Sequence, residues 1–157
     1  MKRLWLLLAA FLLASCSKYS GDFQAATKDF KPKAIPLTAA GPWQGTWKSE
    51  VNGHTGPLWC IVSQDKKDPT IWNFRYRAGW GLLKFGDYNH PVKTKLTAKG
   101  NLPLKGEMTL PNNFGTYKVN GTLTPTTFKV RYTGNGDKGT MTLTRPEKPQ
   151  PKKAQEE

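Results

Sequence analysis

The side chains able to do chemistry in this chain are few and poorly placed for it. There are two histidines, His54 and His90, and two cysteines, Cys16 and Cys60. A nucleophilic site wants Ser or Cys beside a base, with an acid orienting that base. Cys60, His54 and Glu50 supply the types. However, Cys60 alternates in step with Leu58 and Val62, which aims it into a core as a small hydrophobe. The central acids, Glu50, Asp65, Asp68, Asp87, Glu107 and Asp137, fall mostly in turns or on outward faces, where no pair is set up for acid–base work. Asp87 and His90 stand three apart, and with His54 from another turn they would suit a transition metal. The simpler assignment makes Asn89-His90-Pro91 a turn and leaves Asn52 and His54 to fix a first hairpin. The expectation is a protein without catalytic centre, metal or cofactor.

The elements that would carry these residues read as strands. Trp43 and Trp47 share one strand face, with Gln44, Thr46 and Lys48 on the other, and Asn52-Gly53 is a hairpin signal before the apolar run Leu58 to Val62. The same alternation recurs at Trp72–Phe74–Tyr76, Leu83–Phe85, Val92–Thr94–Leu96–Ala98, Leu102–Leu104 with Met108–Leu110, Phe128–Val130–Tyr132 and Met141–Leu143. Turn signals separate the runs at Asp68-Pro69, Ala78-Gly79, Asn89-His90-Pro91, Lys99-Gly100-Asn101, Pro111-Asn112-Asn113, Thr124-Pro125 and Gly134-Asn135-Gly136. No helical period of useful length interrupts them. The fold class is therefore all-β, an antiparallel up-and-down β-barrel of about eight strands, with a two-layer β-sandwich as the alternative.

Six aromatics, Trp43, Trp47, Trp72, Phe74, Tyr76 and Phe85, would face inward. They either line a cavity for one small hydrophobic ligand or simply fill a barrel just wide enough for side chains. The pattern leaves both open. Trp59 and Trp80 are candidates for contact with a partner or a membrane surface.

The ends of the chain point to a cell envelope. Met1-Lys2-Arg3 followed by the apolar run Leu4 to Leu13 has signal-peptide form, and the run is too short to span a bilayer. It ends Leu13-Ala14-Ser15-Cys16, which resembles a bacterial lipobox. That resemblance implies acylation of Cys16 as the first mature residue, and Ser17 beside it implies an outer membrane, facing the periplasm. Cys60 is then left without a disulfide partner. The division expected is signal peptide 1–15, lipidated Cys and flexible tether 16–40, barrel 41–146, and a disordered Pro/Lys-rich tail 147–157.

The whole chain carries 24 basic and 11 acidic residues, a formal charge of +13. Lys93, Lys95, Lys99, Lys105, Lys129, Arg131, Arg75 and Arg77 are expected on outward faces. A monomeric barrel with that exterior, anchored to a membrane, suits anionic lipid headgroups or acidic envelope polymers, while nucleic acid does not fit the compartment. A plainly solvating surface is the alternative.

Gly45-Thr46-Trp47 with Arg145 at the end of the last strand resembles the calycin pattern of lipocalins and avidins. That likeness implies that Trp47 plugs one barrel end and Arg145 packs across it. The motifs Trp43 to Ser49, Asn52 to Leu58, Gly115-Thr116-Tyr117 and Asp137 to Arg145 resemble an uncharacterised group of bacterial lipoprotein and secreted domains, which implies no activity. The functional expectation is a non-catalytic binding or structural barrel. A protein-interaction module, such as a hydrolase inhibitor or an assembly factor, is the alternative, ahead of a metal carrier or enzyme using His54 and His90.

Overall fold

A computed structural model describes residues 18–31, 38–109 and 115–147. Eight strands follow in order: β1 Gly41–Ser49, β2 Thr55–Gln64, β3 Ile71–Trp80, β4 Leu83–Lys93, β5 Leu102–Thr109, β6 Thr116–Leu123, β7 Thr127–Gly134 and β8 Asp137–Thr144. Every ladder is antiparallel, and the sheet order β4-β3-β2-β1-β8-β7-β6-β5 is a meander joined at its ends by the β1–β8 pair. The sheet curls into a nearly closed barrel, so the sandwich alternative does not hold. Its seam lies between β4 and β5, which form no ladder. Thr94 Oγ1 bridges the strand ends there, donating to Pro103 O at 2.6 Å.

Period-two burial carries the fold as expected. Trp43, Leu58, Cys60, Val62, Trp72, Phe74, Leu102, Leu104, Phe128, Val130 and Leu143 are all buried inside. The β7–β8 turn needs positive φ twice, and Asn135 (φ 48°) and Gly136 (φ 76°) supply it. Two expected turns are absent. Asn89-His90-Pro91 lies within β4, and Ala78-Gly79 lies within β3. Pro91 is tolerated because β4 borders the seam, where no neighbouring strand needs its missing N–H. The turn instead falls at Gly81-Leu82, leaving Leu83 and Phe85 exposed at the rim. The strand expected from Val92 to Ala98 stops at Lys93, and Leu96 is exposed.

The larger departure is at the N-terminal side. Within the stretch expected as a flexible tether, residues 18–29 form a helix, α1, docked on the outside of β3. Tyr19 is 2 % exposed, and its hydroxyl donates to Arg75 O at 3.1 Å. Its ring lies 5.1 Å from the Arg75 guanidinium and 5.7 Å from that of Arg77. Arg75 pairs with Asp22 at 2.6 Å and with Asp87 on β4 through both ends of its fork. Arg77 reaches Ser20 Oγ at 3.0 Å and is buried. Both arginines therefore hold α1 instead of presenting free charge to solvent. The signal was a short one: Tyr19, Phe23, Thr27 and Phe30 recur at helical spacing, with polar or small residues between them. The signal segment, Cys16, residues 110–114 and residues 148–157 lie outside the described residues.

Arg145 closes one end of the barrel, but not on the expected tryptophan. The β1–β8 register sets Gln44 opposite Thr144 and Trp47 opposite Met141. Arg145 therefore falls beside Trp43, and Trp47 is about 13 Å further along the strand. The guanidinium lies 3.7 Å from the Trp43 ring centroid and 4.6 Å from that of Phe30. It donates to the carbonyls of Thr38, Ala40, Pro42 and Pro125. Burial pulls its pKa down to about 10, still far above neutrality. Trp43 Nε1 donates to Ala39 O at 3.0 Å, and the ring meets Phe128 edge-on at 5.8 Å.

Trp43→Ala is expected to cost about 3–5 kcal/mol of unfolding free energy. Arg145→Ala should cost about 1.5–3 kcal/mol through the carbonyls left without a donor. In urea titrations followed by circular dichroism, Trp47→Ala should be the mildest of the three. A larger loss for Trp47→Ala than for Trp43→Ala would return the plug to Trp47.

Candidate functional site

The other end of the barrel is not filled. Three described loops meet there, β1–β2, β3–β4 and β7–β8, beside the end of β5 and the start of β6. Inside it is a cavity of about 300 Å³, lined among others by Trp47, Tyr76, Phe85, Tyr88, Met108 and Met141. The six aromatic candidates thus divide. Trp47, Tyr76 and Phe85 line the cavity, whereas Trp43, Trp72 and Phe74 belong to the packed half. Phe74 stacks on Tyr76 at 6.3 Å, and Phe128 meets both rings edge-on, so Tyr76 ties the cavity wall to the packed aromatic rings behind it.

The lining is apolar, with a few residues that carry polar groups among it. Asp137 is already engaged: Ser49 Oγ donates to Oδ1 at 2.6 Å and the Tyr132 hydroxyl to Oδ2 at 2.9 Å. Tyr76 Oη and His90 Nε2, by contrast, are buried without any hydrogen-bond partner. Both residues line the cavity. Buried polar atoms are nearly always paired, and both of these orphans belong to residues of one cavity wall. Burial pushes the Tyr76 phenol well above its ordinary pKa and holds it protonated. Burial also depresses His90 below its ordinary 6.5, against a backbone hydrogen bond to Glu107 across the seam. Both groups therefore present themselves neutral.

The four polar loop candidates do not converge. His90 points inward because it is mid-strand in β4 and not in a turn. Asp87, three residues earlier and so on the opposite face, is held outside by Arg75. Asn52 caps its own turn, accepting from His54 N at 2.9 Å. The His54 ring lies against Trp80, with centroids 5.1 Å apart. Among the described residues no three potential ligands gather as a metal site. Cys60 is wholly buried, and desolvation drives its thiol pKa up, which suppresses the reactive thiolate. The lining residues absent from the first selection, Tyr88, Met108, Tyr117, Tyr132 and Met141, were signalled by strand parity alone. Trp59 is half-buried on the outer face, with Lys84 over its ring at 5.5 Å and the start of α1 beside it.

Among the described residues no helix is long and apolar enough to cross a membrane. No protein-family model, curated protein or solved structure matches the chain.

His90 makes the fold sensitive to acid. The folded state keeps the imidazole neutral, while the unfolded chain takes up its proton near pH 6.5. The contribution is complete above that pH and is lost as pH falls through it toward the lower folded-state pKa. Urea midpoints at pH 7.5 and 5.5 should therefore converge in His90→Gln relative to the wild type. An unchanged gap would mean that His90 is not held neutral.

Proposed function

We propose that this chain is a lipid-anchored protein of a bacterial envelope, whose barrel binds a small, largely apolar molecule and catalyses nothing. The observation that carries the binding reading is the pairing of an apolar cavity with two buried polar atoms that lack partners, Tyr76 Oη and His90 Nε2. At about 300 Å³ the space sits at the small end of ligand pockets. The molecule it suits is compact and chiefly hydrocarbon or aromatic, with one neutral polar group to meet the phenol and the imidazole. A charged head would be poorly placed, since it would have to shed water beside two uncharged groups and an already satisfied carboxylate. Ligand release at low pH would follow if His90 became protonated.

The envelope setting is supported by the N-terminal sequence: Met1-Lys2-Arg3, the apolar run to Leu13, and the lipobox-like Leu13-Ala14-Ser15-Cys16. Ser17 favours the outer membrane, with the barrel facing the periplasm. The likeness of motifs such as Trp43 to Ser49 to the bacterial lipoprotein group fits the same address. The basic exterior suits anionic lipid or acidic envelope polymers.

Native mass spectrometry of protein purified from its host without detergent exchange should find one small organic molecule per barrel and an acyl mass on Cys16 that Cys16→Ser removes. Tyr76→Phe and His90→Gln should each weaken retention by up to about tenfold, the worth of one hydrogen bond. An empty barrel, or retention indifferent to both substitutions, would overturn the binding reading. An unmodified Cys16 would overturn the anchor alone.

A further inference from the structure

The β3–β4 hairpin projects beyond the cavity as an apolar tip. Gly81, at φ 56°, turns the chain, and Leu82 stands fully in solvent at 102 % exposure. Leu83, Trp80 and Phe85 flank it at 66 %, 49 % and 44 %. Val51, in the neighbouring β1–β2 loop, adds 57 %. Phe85 is both part of this tip and part of the cavity wall, so the patch runs into the mouth without a break. Exposed apolar side chains grouped in this way mark a surface with a partner.

The charge around the tip says what kind of partner. Lys48, Lys84 and Lys138 are exposed at the same end of the barrel. The described carboxylates near that end are committed elsewhere. Asp137 accepts from Ser49 and Tyr132, Glu50 pairs with Arg131 at 2.6 Å, and Asp87 with Arg75. The rim is thus a narrow apolar point carrying a tryptophan, ringed by lysines that no described carboxylate neutralises. A convex tip of this shape has little flat area to offer a folded protein. It matches a bilayer interface, where leucines enter the acyl boundary, the indole sits among headgroups and lysines meet anionic phosphates.

We propose that the β3–β4 tip, with Val51, inserts into an anionic membrane surface and sets the cavity mouth against it, so that an apolar ligand passes between bilayer and barrel without crossing water. The docking stands whether or not a ligand is bound, since it rests on the outer surface of the rim.

The test uses spin labels in the full chain carrying Cys16→Ser, so that no acyl anchor contributes. One label is placed at Leu82→Cys, and a control at Lys66→Cys in the β2–β3 turn at the far end. Cys60, wholly buried, stays unlabelled. With vesicles of phosphatidylethanolamine and phosphatidylglycerol, the label at 82 should gain access to oxygen and lose access to a water-soluble nickel chelate. The label at 66 should keep its aqueous values. The change at 82 should shrink in phosphatidylcholine vesicles and in a Lys48→Glu, Lys138→Glu background. Three results would overturn the proposal: no change at 82, equal changes at 82 and 66 (the apolar N-terminal run drawing the whole chain in), or mutual broadening of labels at 82 without vesicles, which would make the tip a contact between two copies.

Discussion

The β1–β8 pairing, capped by Arg145 on Trp43, is the constraint from which the rest of the structure follows. A meander has two free edges, and joining the first strand to the last turns most of the sheet into a wall. The register of that one ladder decides which tryptophan lies under the guanidinium. Buried cations are costly unless their donors are met, and Arg145 meets four carbonyls and two aromatic faces. Two of those carbonyls, Thr38 and Ala40, belong to the approach to β1 and a third, Pro42, to its second residue, so the same contact fixes where the chain enters the barrel. It also pulls Phe30, just beyond α1, onto the closed end.

Filling one end so completely leaves the other end short of material. Trp43, Phe74, Phe128 and the leucines of β5, β6 and β8 fill the closed half, while the open half has a wall of tyrosines and methionines around a void. A packed core would not leave Tyr76 Oη and His90 Nε2 unpaired, because each unpaired buried polar atom weighs against folding. Methionine at Met108 and Met141 adds adaptable, polarisable surface to that wall. The barrel is therefore packed at the end that Arg145 closes and hollow at the other.

The outer surface shows the same economy of charge. Arg75 and Arg77 look like solvent-facing cations on an alternating strand, yet α1 lies across them. An aromatic ring between two guanidiniums, a carboxylate on either side and a hydroxyl on the second make a latch from residues that would otherwise only solvate the sheet. Lysines elsewhere on the barrel remain exposed, so the basic character survives in a different distribution from the one alternation suggests.

Alternation of apolar and polar residues, with Asn-Gly and Gly-Asn-Gly turns, determined an all-β meander of eight strands, because period-two burial is a local property of the backbone. It also determined that Cys60 is a core residue. Tertiary structure alone decided the rest. Which of Trp43 and Trp47 meets Arg145 depends on a pairing between residues about a hundred positions apart, and a shift of four leaves the local pattern unchanged. Whether His90 sits in a turn or faces a cavity depends on Pro91 bordering the open seam, which no dipeptide signal reveals. The docking of residues 18–29 depends on a surface that exists only once β3 and β4 lie side by side. The cavity itself is a difference between the volume the strands enclose and the volume their side chains occupy, and only the assembled barrel sets that difference.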